Sequence, residues 1–139
     1  MDKETLARRV SESFESLLAE ADTQNIMVRI NPSLYTRMNK VRLAPKRKIS
    51  WNKLMSELFR EVIEQPDPTA FLARLILTYK ELDQADTQVA FQARVDREVL
   101  QSMSDIRSTL SKRFKHKIKW QTIVEIIFMQ KLMKIEETD

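Results

Sequence analysis

Asn25-Ile-Met-Val-Arg-Ile30 alternates apolar and polar side chains, and Asn31-Pro32 follows it without a gap. Alternation over six residues predicts a half-buried strand, with Ile26, Val28 and Ile30 on one face and Asn25, Met27 and Arg29 on the other. Asn31 is a favoured helix N-cap, and Pro32 suits the first helical position because proline has no N–H to leave unpaired there. Leu34, Met38 and Val41 then recur at helical spacing until Pro45 stops the run. Lys46-Arg-Lys-Ile-Ser-Trp-Asn52 is a basic turn carrying Ser50, the cap of a second helix. Its inner face is Trp51, Leu54, Met55, Leu58, Phe59, Val62 and Ile63. The stretch thus predicts a strand at 25–30, a helix at 32–44, a basic turn and a helix at 50–64.

The same order returns downstream. An amphipathic run at 2–21, with Leu6, Val10, Phe14, Leu17 and Leu18, precedes the first strand and closes on Ala21-Asp-Thr-Gln24. A run at 68–84, capped by Asp67, carries Phe71, Leu72, Leu75, Ile76, Tyr79 and Leu82 and closes on the same four letters, Ala85-Asp-Thr-Gln88. A strand at 89–95 follows, then Asp96 as cap of a helix at 97–112. A basic turn, Lys112-Arg-Phe-Lys-His-Lys117, leads to a helix at 119–135. Ile49-Ser-Trp-Asn52 and Ile118-Lys-Trp-Gln121 match in character and context, as do Arg29-Ile30 and Arg94-Val95. A shared tetrapeptide could be chance; a shared order of four elements with a tryptophan at the same place points to duplication. The expected organisation is one pseudo-two-fold domain over 1–139, with repeats at 2–65 and 66–136.

Composition narrows the function. The chain of 139 residues contains no glycine, no cysteine and one histidine, His116. Without glycine neither a P-loop nor a dinucleotide fingerprint can form, since both need backbone that approaches the ligand closely. Without cysteine there are no disulfides or thiolate metal sites. His116, between lysines, reads as a solvated side chain, and the seven methionines as core fillers. No nucleophile–base pair is visible either, so the expectation is a protein that is not an enzyme and needs no cofactor. No apolar run is long enough to span a bilayer, and the first residues lack an apolar leader, so a cytoplasmic location is expected. Charge is unevenly placed. Residues 29–60 hold nine Lys/Arg and one acid, Glu57, whereas residues 1–22 hold six acids and three bases. Basic charge confined to part of a chain suits a polyanionic partner.

A strand of six residues cannot stand alone. Two in one chain can pair antiparallel about a local two-fold axis, with the four following helices closing over one face. The expected fold is therefore mainly α with one two-stranded antiparallel ribbon, formed by an internally duplicated helix-strand-helix-helix unit. Phe91, Ala93 and Val95 would face the core with Ile26, Val28 and Ile30. Ala90, Gln92 and Arg94 would lie outside with Asn25, Met27 and Arg29.

Asp96-Arg-Glu-Val-Leu100 after Gln92-Ala-Arg-Val95, and Ile49-Ser-Trp-Asn52 at the opening of a helix, resemble the ribbon-helix-helix (MetJ/Arc) family. The resemblance covers about 25–64 and 89–135. Carrying both copies in one polypeptide is similar to the TraY-type proteins of plasmid conjugation. Two departures stand out: Lys46-Arg-Lys48 replaces the small or glycine residue common before the second helix, and Lys119 replaces the capping serine. The resemblance implies a ribbon inserted in the major groove of double-stranded DNA.

Residue chemistry points the same way. Arg29 and Arg94 can each offer a bidentate pair to guanine, Asn25 and Gln92 can each bridge adenine, and Met27 can touch a thymine methyl. With Ala90 these form the expected base-reading set. The expected phosphate-binding set is Lys46, Arg47, Lys48, Ser50, Trp51, Asn52 and Lys53 in the first half, and Lys115, Lys117, Lys119, Trp120 and Gln121 in the second. Free N–H groups at a helix start, ringed by lysines, suit a phosphate oxygen. The two tryptophans read as core lids, or as stacking platforms for single strands. Because Met27 and Gln92 differ, the DNA site should be asymmetric or an imperfect inverted repeat.

The leading expectation is a sequence-specific DNA-binding protein, a transcriptional repressor or an accessory factor of plasmid transfer or partition. An antitoxin is disfavoured because little chain follows the last helix. The competing class is a helical adaptor in a nucleoprotein complex, in which helices 2–20 and 69–84 bind a protein partner or a further copy of the chain.

Overall fold

The computed structural model describes residues 22–79 and 87–138. The predicted helix at 2–21, the end of the predicted helix at 68–84 and parts of both Ala-Asp-Thr-Gln segments lie outside them. The described residues form five helices and one two-stranded antiparallel sheet: β1 (Thr23–Ile30), α1 (Pro32–Arg42), α2 (Trp51–Ile63), α3 (Pro68–Thr78), β2 (Val89–Asp96), α4 (Arg97–Phe114) and α5 (Trp120–Thr138).

The chain's local chemistry accounts for most boundaries. Asn31 accepts a hydrogen bond from the Ser33 N–H at 2.8 Å, the Ser50 hydroxyl accepts from the Lys53 N–H at 3.1 Å, and Asp67 accepts from the Ala70 N–H at 3.1 Å. Each satisfies one of the N–H groups that a helix start leaves unpaired. Pro32 and Pro68 occupy first-turn positions. Asp96 departs from its predicted role. It sits at the N-cap of α4 but makes no side-chain cap bond; its carboxylate pairs instead with the Arg60 guanidinium on α2. A charged donor outcompetes a backbone amide for a carboxylate. The strands are also longer than predicted. β1 starts at Thr23 and β2 includes Asp96 because Thr23 pairs with Asp96 and Gln24 with Val95. Pairing, invisible in one strand's sequence, extends each beyond its alternating run. In contrast, α1 stops at Arg42, α4 runs on to Phe114 and α5 to Thr138.

Alternation assigns the two faces as expected. Ile26, Val28, Ile30, Phe91, Ala93 and Val95 are buried, while Asn25, Met27, Arg29, Ala90, Gln92 and Arg94 are exposed. The buried face joins a single cluster with Leu54, Met55, Leu58, Phe59 and Val62 of α2 and Ile123, Val124, Ile127 and Phe128 of α5. Each fully buried aliphatic or aromatic side chain contributes about 1.5–3 kcal/mol of transfer free energy, an upper figure before chain entropy.

The packing crosses between the halves. α2 packs on β2 and α4, and α5 packs on β1 and α1. The inner face of the ribbon is therefore covered by helices from both halves. α3 fills the side formed by α4 and α5. At the centre Trp51 stacks on Tyr35 at 5.3 Å, and Phe91 meets Trp51 and Phe128 edge-on at 4.8 and 5.9 Å. Such pairs add about 0.5–1.5 kcal/mol each beyond area burial.

Candidate functional site

The side of the ribbon away from the helices is the candidate surface. Across it the register sets Asn25 opposite Arg94, Met27 opposite Gln92 and Arg29 opposite Ala90. Aligning Arg29-Ile30 with Arg94-Val95 makes Met27 and Gln92 counterparts, and these two face each other. Arg29 and Arg94 thus stand at opposite ends of a short row centred on that pair. All six side chains are exposed, and Met27, 70% accessible, is more exposed than Leu43, Leu77 or Met133. No acid lies among them, and among the described residues neither arginine is ion-paired. The surface offers two guanidinium forks, two amides and one thioether, a donor-rich array suited to base edges.

The two interhelical turns supply cations. Lys46, Arg47 and Lys48 before α2, and Lys115, Lys117 and Lys119 before α5, are exposed. Arg47 is partly engaged, because it pairs with Glu57 at 3.3 Å. Both turns contain a lysine at positive φ, Lys48 at 37° and Lys115 at 58°. A left-handed residue with a Cβ costs about 1–2 kcal/mol, which explains how the chain makes these turns without glycine and at what cost. Around Lys112, Lys115, His116 and Lys117 the second turn opens into a cleft of about 470 Å³, lined also by Arg107, Ser108 and Ser111. No acid lines it.

A pair of arginine clamps, unanticipated from the sequence, fixes the start of α2 and α5. Arg42 donates through Nη1 to the Ile49 carbonyl at 3.2 Å and lies 4.9 Å from the Trp51 ring centre. Arg107 donates through Nη1 to the Ile118 carbonyl at 3.2 Å and lies 5.0 Å from the Trp120 ring centre. Each arginine ties the residue two before a helix to that helix's first-turn tryptophan. Both indoles are half-buried and face a guanidinium, so they serve as seats for the clamps rather than open platforms for bases. The clue in the sequence was an arginine seven residues before one isoleucine and eleven before the other, spacings that no helical period links.

The clamps differ in one respect. Arg42 Nε and Nη2 both donate to Asn39 Oδ1, at 3.1 and 2.6 Å. Arg107 has Ser104 in the matching place three residues earlier, and its Nε is buried with no hydrogen-bond partner. In that turn Ser111 Oγ accepts from the Ile118 N–H at 2.9 Å and donates to the Arg107 carbonyl at 3.0 Å.

The remaining predicted residues divide. Ser50 caps α2, and Lys53 is exposed beside it. Asn52 has its carbonyl oxygen on the Arg94 N–H at 2.8 Å, so it covers an edge of β2 and anchors the start of α2 there. Gln121, its counterpart in α5, donates to Glu125 at 2.9 Å. Burial raises the Glu125 carboxyl above its ordinary pKa, and the Gln121 hydrogen bond offsets part of that. Lys119 precedes α5 with a side chain that has no acceptor to offer the helix start. His116 is exposed, with Nδ1 3.1 Å from the Phe114 carbonyl. Among the described residues no group of three or more His, Asp and Glu side chains is placed to hold a metal ion, and no helix is long and apolar enough to cross a membrane.

The sequence matches no protein-family model, and comparison with curated proteins and with solved structures returns no match.

Proposed function

We propose that this chain is a sequence-specific double-stranded DNA-binding protein of the ribbon-helix-helix kind, with both copies of the unit in one polypeptide. The carrying observation is the outer ribbon face: Arg29 and Arg94 disposed about a central Met27–Gln92 pair, with no acid between them. Three further observations support the duplication. The register centres on one counterpart pair, Met27 and Gln92, α2 of the first half packs on β2 while α5 of the second packs on β1, and the arginine clamps recur with the same partners.

In this reading the ribbon enters the major groove. Arg29 and Arg94 read guanines, and Asn25 and Gln92 read adenines. The N-termini of α2 and α5, with the lysines of the preceding turns, hold backbone phosphates on either side. Within this class a role as plasmid transfer or partition accessory factor, or as repressor, follows from the single-chain layout by analogy.

The test is selection of bound duplexes from a random pool at two salt concentrations. About six neutralised phosphates give a loss of roughly 10³ in affinity between 50 and 200 mM salt. Arg29→Ala with Arg94→Ala should abolish selection while leaving the thermal transition unchanged. A flat salt response, or selection that survives the double substitution, refutes the reading. A second reading, a helical adaptor, draws on Leu77 of α3 and Met133 of α5, apolar side chains that are 57% and 39% exposed. Unchanged activity of the Arg29/Arg94 double variant would favour it.

A further inference from the structure

We infer that the two ends of the ribbon divide the labour on DNA: the Asn25/Arg94 end discriminates base pairs, and the Arg29/Ala90 end is held mainly through backbone phosphates at the α4–α5 turn. The inference rests on the DNA-binding reading above and assigns different tasks to its two half-sites.

The register creates the first difference. Asn25 and Arg94 face each other, so one end of the row carries two side chains that can each make a bidentate contact to a base. At the other end Arg29 faces Ala90, whose methyl group can only touch a base. One end can therefore specify two base pairs by hydrogen bonds and the other one.

The turns differ in the opposite sense. The Asn52–Arg94 bond fixes the start of α2 at the Asn25/Arg94 end; in the duplicated reading proposed above, α5, which packs on β1, starts at the other end. At the first turn Arg47 is paired with Glu57, and Arg42 has three of its donor bonds filled by Asn39 and the Ile49 carbonyl. At the second turn Lys112, Lys115, His116 and Lys117 line an open cleft in which no described residue is acidic. Among the described residues none of these lysines is ion-paired; Lys46 and Lys48 of the first turn are likewise unpaired, so the two turns differ in Arg47, held by Glu57, and in the cleft. Uncommitted cations over an open cleft suit phosphate oxygens, a contact that fixes position without reading sequence.

The experiment uses the full chain on its selected duplex, with each base pair substituted in turn and affinity measured across a salt series. Asn25→Ala should remove about tenfold or more of discrimination at one base pair, in one half-site only, with the salt slope unchanged. Lys115→Gln with Lys117→Gln should weaken binding to all sequences alike and reduce the slope by about 1.8, some 0.9 per lost phosphate contact. Lys46→Gln with Lys48→Gln should reduce it less. All these side chains are exposed, and circular dichroism checks that each variant folds. Equal base sensitivity in both half-sites, or equal slope changes from the two lysine pairs, overturns the division of labour while leaving DNA binding intact. A wild-type chain that selects no duplex overturns the DNA-binding reading itself, and this inference with it.

Discussion

Ser104→Asn should stabilise the protein. Arg107 carries a buried Nε without a partner, whereas Arg42 satisfies the equivalent atom on Asn39, three residues earlier in its helix. Ser104 occupies that position relative to Arg107 and is half-buried, so an asparagine there can turn its carbonyl towards the guanidinium. An unsatisfied buried polar group costs about 1–3 kcal/mol. Ordering the asparagine side chain takes back up to about 1 kcal/mol, and the helix propensities of Ser and Asn are similar. The net gain is about 1 kcal/mol, equivalent to roughly 3–4 °C in Tm for a chain of this size. Urea and thermal denaturation followed by tryptophan fluorescence would measure it, since Trp120 lies against Arg107. The control is a double-mutant cycle with Arg107→Lys, which keeps the charge but loses the planar fork. The gain must vanish in that background. A Ser104→Asn chain no more stable than wild type, or a gain that persists without the guanidinium, refutes the reasoning. In the first half the reverse change, Asn39→Ser, should cost about as much as Ser104→Asn contributes.

Three other outcomes are expected. Lys115→Gly should raise stability by about 0.5–1 kcal/mol in urea denaturation, because removing a Cβ penalty at φ 58° outweighs glycine's greater unfolded-state freedom; the same change should weaken DNA binding at low salt. Glu125→Gln should stabilise the fold at neutral pH. The Glu125 pKa is raised on folding, so the carboxyl favours the fold below its unfolded pKa and loses that contribution as pH rises through the folded value. The Tm advantage of the variant should therefore shrink as pH falls through the carboxylate range, and an advantage that grows in acid would contradict the assignment. Phe128→Ala should cost about 3–5 kcal/mol in urea, because Phe128 is fully buried between Trp51 and Phe91.

Much of the candidate surface was legible from period alone. Alternation at 25–30 and 90–95 sorted twelve strand positions by face, because in a half-buried strand a one-residue error would bury Arg29 or expose Ile30. Asn31, Ser50 and Asp67 announced helix starts through short side chains that bond a backbone N–H two or three residues on. These are local interactions, and a linear string records them. Asp96 carried the same signal and misled, because its carboxylate had a better partner in Arg60, thirty-six residues away in the chain.

What the string of residues determined by itself, then, is the identity and facing of the elements: two short strands with apolar inner faces, helices with caps, and basic turns. Tertiary structure decided the rest. It chose the register that sets Met27 against Gln92, seated α2 on β2 and α5 on β1, and turned Arg42 and Arg107 from surface charges into clamps. The physical reason is range. Capping and alternation act over two to four residues of one backbone, whereas register and clamping depend on which distant groups come within about 3 Å of each other once the shared core has formed.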